Sequence, residues 1–177
     1  MSPVIALLRA VNVGGRTVRS AQLRSVAEGL GHTQVVTYVN SGNLVLVPSG
    51  AASAVGPGLS HALAAELGFD VPVLTRTLAQ WDAVVDRLPY PDEATSDPSH
   101  LVLYCWDGAP RATDFDPTPY GNETVAFAGQ EMYAYFPDGI GRSKLTLPLL
   151  EKATGRTGTA RNWNTVLALQ RLARERA

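Results

Sequence analysis

Short apolar runs closed by glycine or polar turns alternate, in the first half of the chain, with stretches whose apolar residues recur every three or four positions. Val4–Leu8 is an apolar run that predicts a strand, followed by a loop over residues 12–15. Ser20 is placed to cap a helix whose Leu23, Val26, Ala27 and Leu30 share one face, with Gly31 as its stop. Residues 35–39 and 44–47 are β-branched and apolar, and Asn40-Ser41-Gly42-Asn43 between them is a hairpin signal. Leu59, Leu63 and Leu67 then mark a helix stopped by Gly68, and residues 71–75 a fourth strand. Thr77 is placed to cap a trailing helix carrying Leu78, Trp81, Val84, Val85 and Leu88, ended by Pro89.

The order β-α-β-β-α-β plus a helix is the split-βαβ, ferredoxin-like pattern. Pro72, inside the expected fourth strand, fits because that strand lies at a sheet edge, where a missing N–H is tolerated. Residues 91–99, rich in Pro, Asp and Ser, read as a linker between a unit at 1–90 and a smaller one at 100–177. In the second, Leu101–Trp106 predicts a strand, 111–122 is too proline-rich for a helix, and Thr124–Ala128 pairs with 131–136 about Gly129-Gln130. Helices follow at 147–153 and 163–175. The expectation is an α+β chain with an N-terminal ferredoxin-like unit packed against a smaller C-terminal α+β unit, the second a degenerate echo of the first with one helix lost.

Composition narrows the class. Of 177 residues, 45 % are hydrophobic and 18 % charged, as in ordinary globular proteins. Cys105 is the single cysteine, so neither a disulfide nor a cysteine-based zinc site can form within the chain. The run at Val4–Leu8 is too short for a signal-peptide core, and prolines and glycines interrupt the acid- and amine-free stretch 44–65. These features predict a cytoplasmic protein that crosses no membrane.

The net charge of −1 is unevenly spread. Residues 9–24 carry four arginines and no acid, 66–123 carry eleven acids against three bases, and 141–164 carry five bases against one acid. Two separated basic segments can build one anion-binding surface or two solvated faces.

Three segments could carry chemistry. Arg9 and Arg16 flank Asn12, Gly14 and Gly15, and paired glycines let main-chain N–H groups approach an anion. The spacing matches neither a Walker loop nor a dinucleotide fingerprint. Asn40, Ser41 and Asn43 suit a turn, and no strand-turn-helix elbow surrounds Ser41 to make it a nucleophile. In the tail, Asn162 or Asn164 can cap the last helix, while Arg161 stands just before its positive end, an unfavourable place without an anion or carboxylate nearby. Arg142 and Lys144 offer further donors for the same anion. His32, expected in a surface turn, His61 and His100 show no metal-ligand spacing, Cys105 reads as a buried, inert thiol, and the carboxylates of 82–116 form no evident acid/base pair. No metal or cofactor is expected.

Three blocks carry a family likeness. Val4-Ile5-Ala6-Leu7-Leu8-Arg9-Ala10-Val11-Asn12-Val13-Gly14-Gly15, Thr37-Tyr38-Val39-Asn40-Ser41-Gly42-Asn43 and Thr159-Ala160-Arg161-Asn162-Trp163-Asn164-Thr165-Val166 resemble the domain of unknown function 1697 family. The resemblance departs at Ala10, Asn40 and Ala160, where the family more often has glycine, glutamine and threonine. It implies a bacterial-type cytosolic α+β protein and supplies no activity. The best expectation is a binding protein for a phosphate-bearing ligand, a nucleotide or nucleic acid, between the two units. The alternatives are an enzyme acting on a small anionic metabolite, or an interaction module that dimerises through a sheet edge.

Overall fold

Five consecutive apolar residues, Val4–Leu8, form strand β1, and all five are buried. Side chains alternate across a sheet, so a strand buried at every position must be covered on both faces. The other elements are placed around that requirement. They are α1 (Ser20–Gly29), β2 (Thr33–Tyr38), β3 (Asn43–Val47), α2 (Ala52–Leu67), β4 (Val73–Thr77) and α3 (Leu78–Asp86). After α4 (Pro91–Ser96) and β5 (Leu101–Trp106) come β6 (Thr124–Ala128), β7 (Glu131–Tyr135), α5 (Leu147–Thr154), β8 (Gly158–Asn162) and α6 (Trp163–Arg174). The computed structural model describes every residue except Ala10, Asn12, Val13, Asn40 and Ser41.

The chain is α+β, with two four-stranded antiparallel sheets and, among the described residues, six α-helices. Its internal contacts divide it into Met1–Ala83 with Ala168–Ala177, and Val84–Leu167. The stretch 91–99, expected as a linker, carries α4, and the end of α6 belongs to the first unit. There Gln170 Nε2 donates to Asp82 Oδ1 at 2.7 Å, Arg174 pairs with the same carboxylate at 2.9 Å, and Arg176 Nε donates to Gln34 O at 2.7 Å.

In the first unit the strands run β2-β3-β1-β4. Val4, Ala6 and Leu8 of β1 and Leu44 and Leu46 of β3 pack with Leu23 and Ala27 of α1 and Val55, Leu59 and Leu63 of α2. Each fully buried leucine of this set contributes about 1.5–3 kcal/mol. Helix α2 continues through Gly56-Pro57-Gly58 because it lies against β4: a Cβ on Gly56 would stand 3.2 Å from Val73 O. Gly68, with φ +79, ends it as the sequence predicts.

Several local expectations need correction. Arg19, not Ser20, occupies the N-cap of α1, and its side chain makes no capping hydrogen bond. Strand β4 begins at Val73, so Pro72 precedes the strand rather than lying within it, and its carbonyl accepts from Arg9 N at 2.9 Å. His32 is buried, not a surface turn residue: its Nδ1 accepts from Ser49 N at 3.1 Å, and burial lowers its pKa. Thr77 does cap α3, with Gln80 N donating to Thr77 Oγ1 at 3.2 Å and Thr77 N donating to Gln80 Oε1 at 2.8 Å, a reciprocal box.

The second unit repeats the strand plan of the first. Its order is β6-β7-β5-β8, so β5, β6, β7 and β8 stand where β1, β2, β3 and β4 stand. Helix α5 bridges the third and fourth strands as α2 does, and α6 follows β8 directly as α3 follows β4. The counterpart of α1 is replaced by the proline-rich stretch 107–123 with one 3-10 turn at Thr118–Tyr120. Register matches as well: Ile5 faces Arg76 as Leu103 faces Arg161. Val102, Tyr104 and Trp106 of β5 pack with Met132, Ala134, Phe136, Leu145 and Leu150.

Gly158 opens β8 where a Cβ would stand 2.5 Å from both Cys105 O and the Trp106 ring. Neither can retreat, because both belong to the buried central strand. Gly158→Ala is therefore expected to destabilise the protein by about 1–3 kcal/mol, read as a lower denaturant midpoint at unchanged slope.

Candidate functional site

The end of β1 is held between its neighbours in the first sheet. Leu8 N donates to Gly42 O at 3.0 Å and Arg9 N to Pro72 O at 2.9 Å, while Leu7 lies opposite Asn43. The first two sequence blocks therefore meet at one end of this sheet. Arg9 is half-buried there. Asn43 is buried and its Nδ2 donates to Tyr38 O at 3.0 Å, which spends its amide on the hairpin. Asn12, Asn40 and Ser41, also expected in a site, lie outside the described residues.

Beyond Arg9 the chain turns through Gly14 and Gly15, with φ +56 and +80. Among the described residues nothing lies within 4 Å of a Cβ on either, so the positive φ of the backbone calls for glycine. The turn leads to a cavity of about 890 Å³ lined by Gly15, Thr17, Arg19, Ala21, Gln22, Glu66, Leu67 and Phe69. Ala21 and Gln22 belong to the first turn of α1, which has no acidic residue and no side-chain cap. The first N–H groups of a helix have no intrahelical partner and carry the positive end of its dipole. Arg19 adds charge beside them, and the Arg16 guanidinium lies 5.8 Å from the centre of the Phe69 ring, within cation–π range. Glu66, Leu67 and Phe69, from the end of α2 and just beyond it, make a wall with one carboxylate and two apolar side chains.

In the second unit the expected residues separate by role. Arg142 closes a 3-10 turn, Ile140–Arg142, and both it and Lys144 are exposed. Between them Ser143 Oγ donates to Glu123 Oε1 at 2.6 Å and accepts from Leu145 N at 3.0 Å, bracing the loop. Arg161 stands just before the last helix, as the sequence suggests, and lies in β8, an edge strand. Its Nη1 donates to Thr159 Oγ1 at 2.6 Å and to Ala160 O at 2.9 Å. Burial pushes the pKa of this guanidinium below the ordinary arginine value, against a smaller opposing effect of Cys105. Asn162 is the cap of α6, its Oδ1 accepting from Thr165 N at 3.0 Å, and Asn164 is exposed.

The family model described as "Protein of unknown function (DUF1697)" matches residues 1–133, three quarters of the chain, including both blocks that meet at the end of β1. The chain belongs to this family. A solved structure, the conserved bacterial protein SP0830 from Streptococcus pneumoniae, is similar over 98 % of this chain and 99 % of that one, with a TM-score of 0.69 and 19 % identity. That likeness is one of fold, and it extends beyond the span of the family match. No curated protein matches.

This DUF1697 chain also holds a titratable cluster that the sequence reading passed over. Asp97 Oδ2 accepts from Tyr135 Oη at 2.7 Å and lies 2.9 Å from His100 Nδ1. The Asp-x-x-His spacing at 97–100 was the available signal, but the tyrosine comes from β7 and only folding brings it in. The tyrosine hydroxyl, ahead of the histidine, holds the Asp97 carboxyl below its ordinary pKa, and the carboxylate in turn raises the pKa of Tyr135. Among the described residues no group of three or more His, Cys, Asp or Glu could hold a metal ion. No described helix is long and apolar enough to cross a membrane.

Because the folded-state pKa of Asp97 is depressed, its contribution to stability is present above the ordinary carboxylate range and is lost as pH falls through the lowered value. Tyr135→Phe removes the largest cause of the depression. The Asp97 carboxyl should then titrate at higher pH, as read from its side-chain carbon resonance, and acid unfolding should begin at higher pH.

Proposed function

We propose that this protein binds a phosphate-bearing small molecule, a nucleotide being the best fit, in the cavity at the N-terminus of α1. The observation that carries the reading is the uncapped first turn of a ten-residue helix opening onto that cavity beside Arg19, with no acid in the turn. Unpaired N–H groups and a positive dipole end suit a phosphate. No described residue lies within 4 Å of where a Cβ on Gly14 or Gly15 would stand, which supports a close approach of a ligand to the main chain there. The remaining wall suits the rest of a nucleotide, with Leu67 and Phe69 for an apolar part and Glu66 to accept from a hydroxyl. About 890 Å³ is within the usual range for small-molecule sites. Nucleic acid is the weaker branch, since a sequence pI near 6.3 is unlike that of strongly basic binders.

The first unit reads as ferredoxin-like, on the support of its β2-β3-β1-β4 order with α1 and α2 as the two crossovers. A cytosolic, bacterial-type protein is the matching reading of its setting, supported by the single, buried Cys105 and by the bacterial source of the similar structure. An enzyme acting on a small anionic metabolite is the second reading, favoured only by the Asp97–His100 pair.

Thermal unfolding with inorganic phosphate, adenosine monophosphate, adenosine triphosphate and a short RNA, each at low and high salt, tests the proposal. A ligand at 100 times its Kd should stabilise by about 2.7 kcal/mol. The shift should shrink with salt and be lost in Arg19→Ala, whose exposed side chain leaves the core intact. No shift with any of the four, or one that Arg19→Ala leaves unchanged, overturns the assignment.

A further inference from the structure

Two open sheets leave four edge strands, β2 and β4 in the first and β6 and β8 in the second. An edge strand presents unpaired main-chain N–H and C=O groups, and proteins usually block such edges. Three of the four are blocked here, each by a guanidinium on a strand carbonyl. Arg176 Nε donates to Gln34 O of β2 at 2.7 Å, in a strand whose register also breaks between Thr33 and Val36. Arg76 Nη1 donates to Thr75 O of β4 at 2.9 Å, and Arg161 Nη1 to Ala160 O of β8 at 2.9 Å. The last two arginines occupy equivalent positions of the repeated plan.

Strand β6 has none of these devices. Thr124-Val125-Ala126-Phe127-Ala128 contains no charge, proline or glycine, and it pairs with β7 in unbroken register from Thr124↔Tyr135 to Ala128↔Glu131. Among the described residues no hydrogen bond from outside β7 reaches its main chain; Tyr90 meets only the Thr124 side chain. Val125 and Phe127 are half-buried at the fringe of the second core, so an added strand would cover them further.

We propose that β6 is a self-association edge, pairing antiparallel with β6 of a second copy of this chain about a two-fold axis through Ala126. The strand is self-complementary in that register. Val125 of each copy lies opposite Phe127 of the other, an aromatic–β-branched pair of the kind that stabilises antiparallel sheets. Thr124 lies opposite Ala128, and the small Ala126 meets itself on the axis. The absence of charge leaves no like-charge repulsion across the axis, and the pairing joins two four-stranded sheets into one of eight strands. A two-fold contact is isologous and closes, so it ends at a dimer. Five residues supply only part of the about 1,200 Å² of a standard interface, so the dimer is concentration-dependent.

Sedimentation velocity from micromolar to near-millimolar concentration tests this. The wild-type chain should move from monomer to dimer. Ala126→Lys and Ala126→Glu should each remain monomeric, because like charges meet on the axis, and an equimolar mixture of the two should dimerise. Amide exchange of the wild-type chain provides a readout that needs no variant: protection at the outward amides of β6 should rise with concentration. A wild-type monomer throughout, a dimer that both variants retain, a mixture that stays monomeric, or exchange at β6 independent of concentration overturns the proposal.

Discussion

β1 and β5 are buried along their whole length and hydrogen-bonded on both sides, and the placement of the other elements follows from that. A strand with apolar side chains on both faces needs a layer on each, and a strand with polar main chain on both sides needs a partner on each. The main-chain need is met twice by the same plan, a hairpin on one side and an edge strand on the other, and the helices crossing between strands cover one face of each sheet. Gly56 shows how tightly the layers close, since its missing side chain lets α2 lie on a carbonyl of β4. Gly158 is the second unit's version, a bare position over Trp106.

The repeated plan moves the polar cost outward to the edges, where it is met by arginine. Arg76 and Arg161 sit at matching register positions, and each donates to the carbonyl of the residue before it. What differs between the units is the element after the first strand. The first keeps a helix there, α1, whose uncapped start opens onto the cavity. The second has instead the stretch containing Pro110, Pro117 and Pro119, which cannot continue a helix, and no helix N-terminus stands at the corresponding place. The candidate ligand site thus belongs to the feature that the second unit lacks.

Much of this was legible in the sequence, because apolar period and turn chemistry report directly on burial. β1, β5, β6 and α5 fall where the pattern puts them, and Gly129-Gln130 turns the β6–β7 hairpin. Failures cluster where a tertiary contact overrides a local preference. Gly56-Pro57-Gly58 argues against a helix, yet α2 runs through it because packing on β4 and the core outweighs about 3 kcal/mol of proline penalty. β8, written Gly-Thr-Ala-Arg-Asn, has neither apolar alternation nor β-branched density, and only pairing with β5 makes it a strand. The site was half legible: Gly14 and Gly15 flagged the turn, but Glu66, Leu67 and Phe69 reach the cavity from the far end of α2, a proximity that only folding creates.

Arg161 and Arg19 show why charge in a sequence does not by itself locate a ligand. Both precede a helix, and by the electrostatics of helix ends both are misplaced without an anion or a carboxylate nearby. Folding separates them. Arg161 donates to its own edge strand, beside a helix that Asn162 already caps. Arg19 occupies the N-cap itself, makes no capping bond, and stands exposed at a cavity. The electrostatic objection to an arginine at a helix start is thus answered in β8 by main-chain and hydroxyl oxygens; at α1 the exposed Arg19 shares its cavity with the Glu66 carboxylate and leaves room for a further anion. That difference is the reason for proposing the site at the start of α1 rather than beside Arg161.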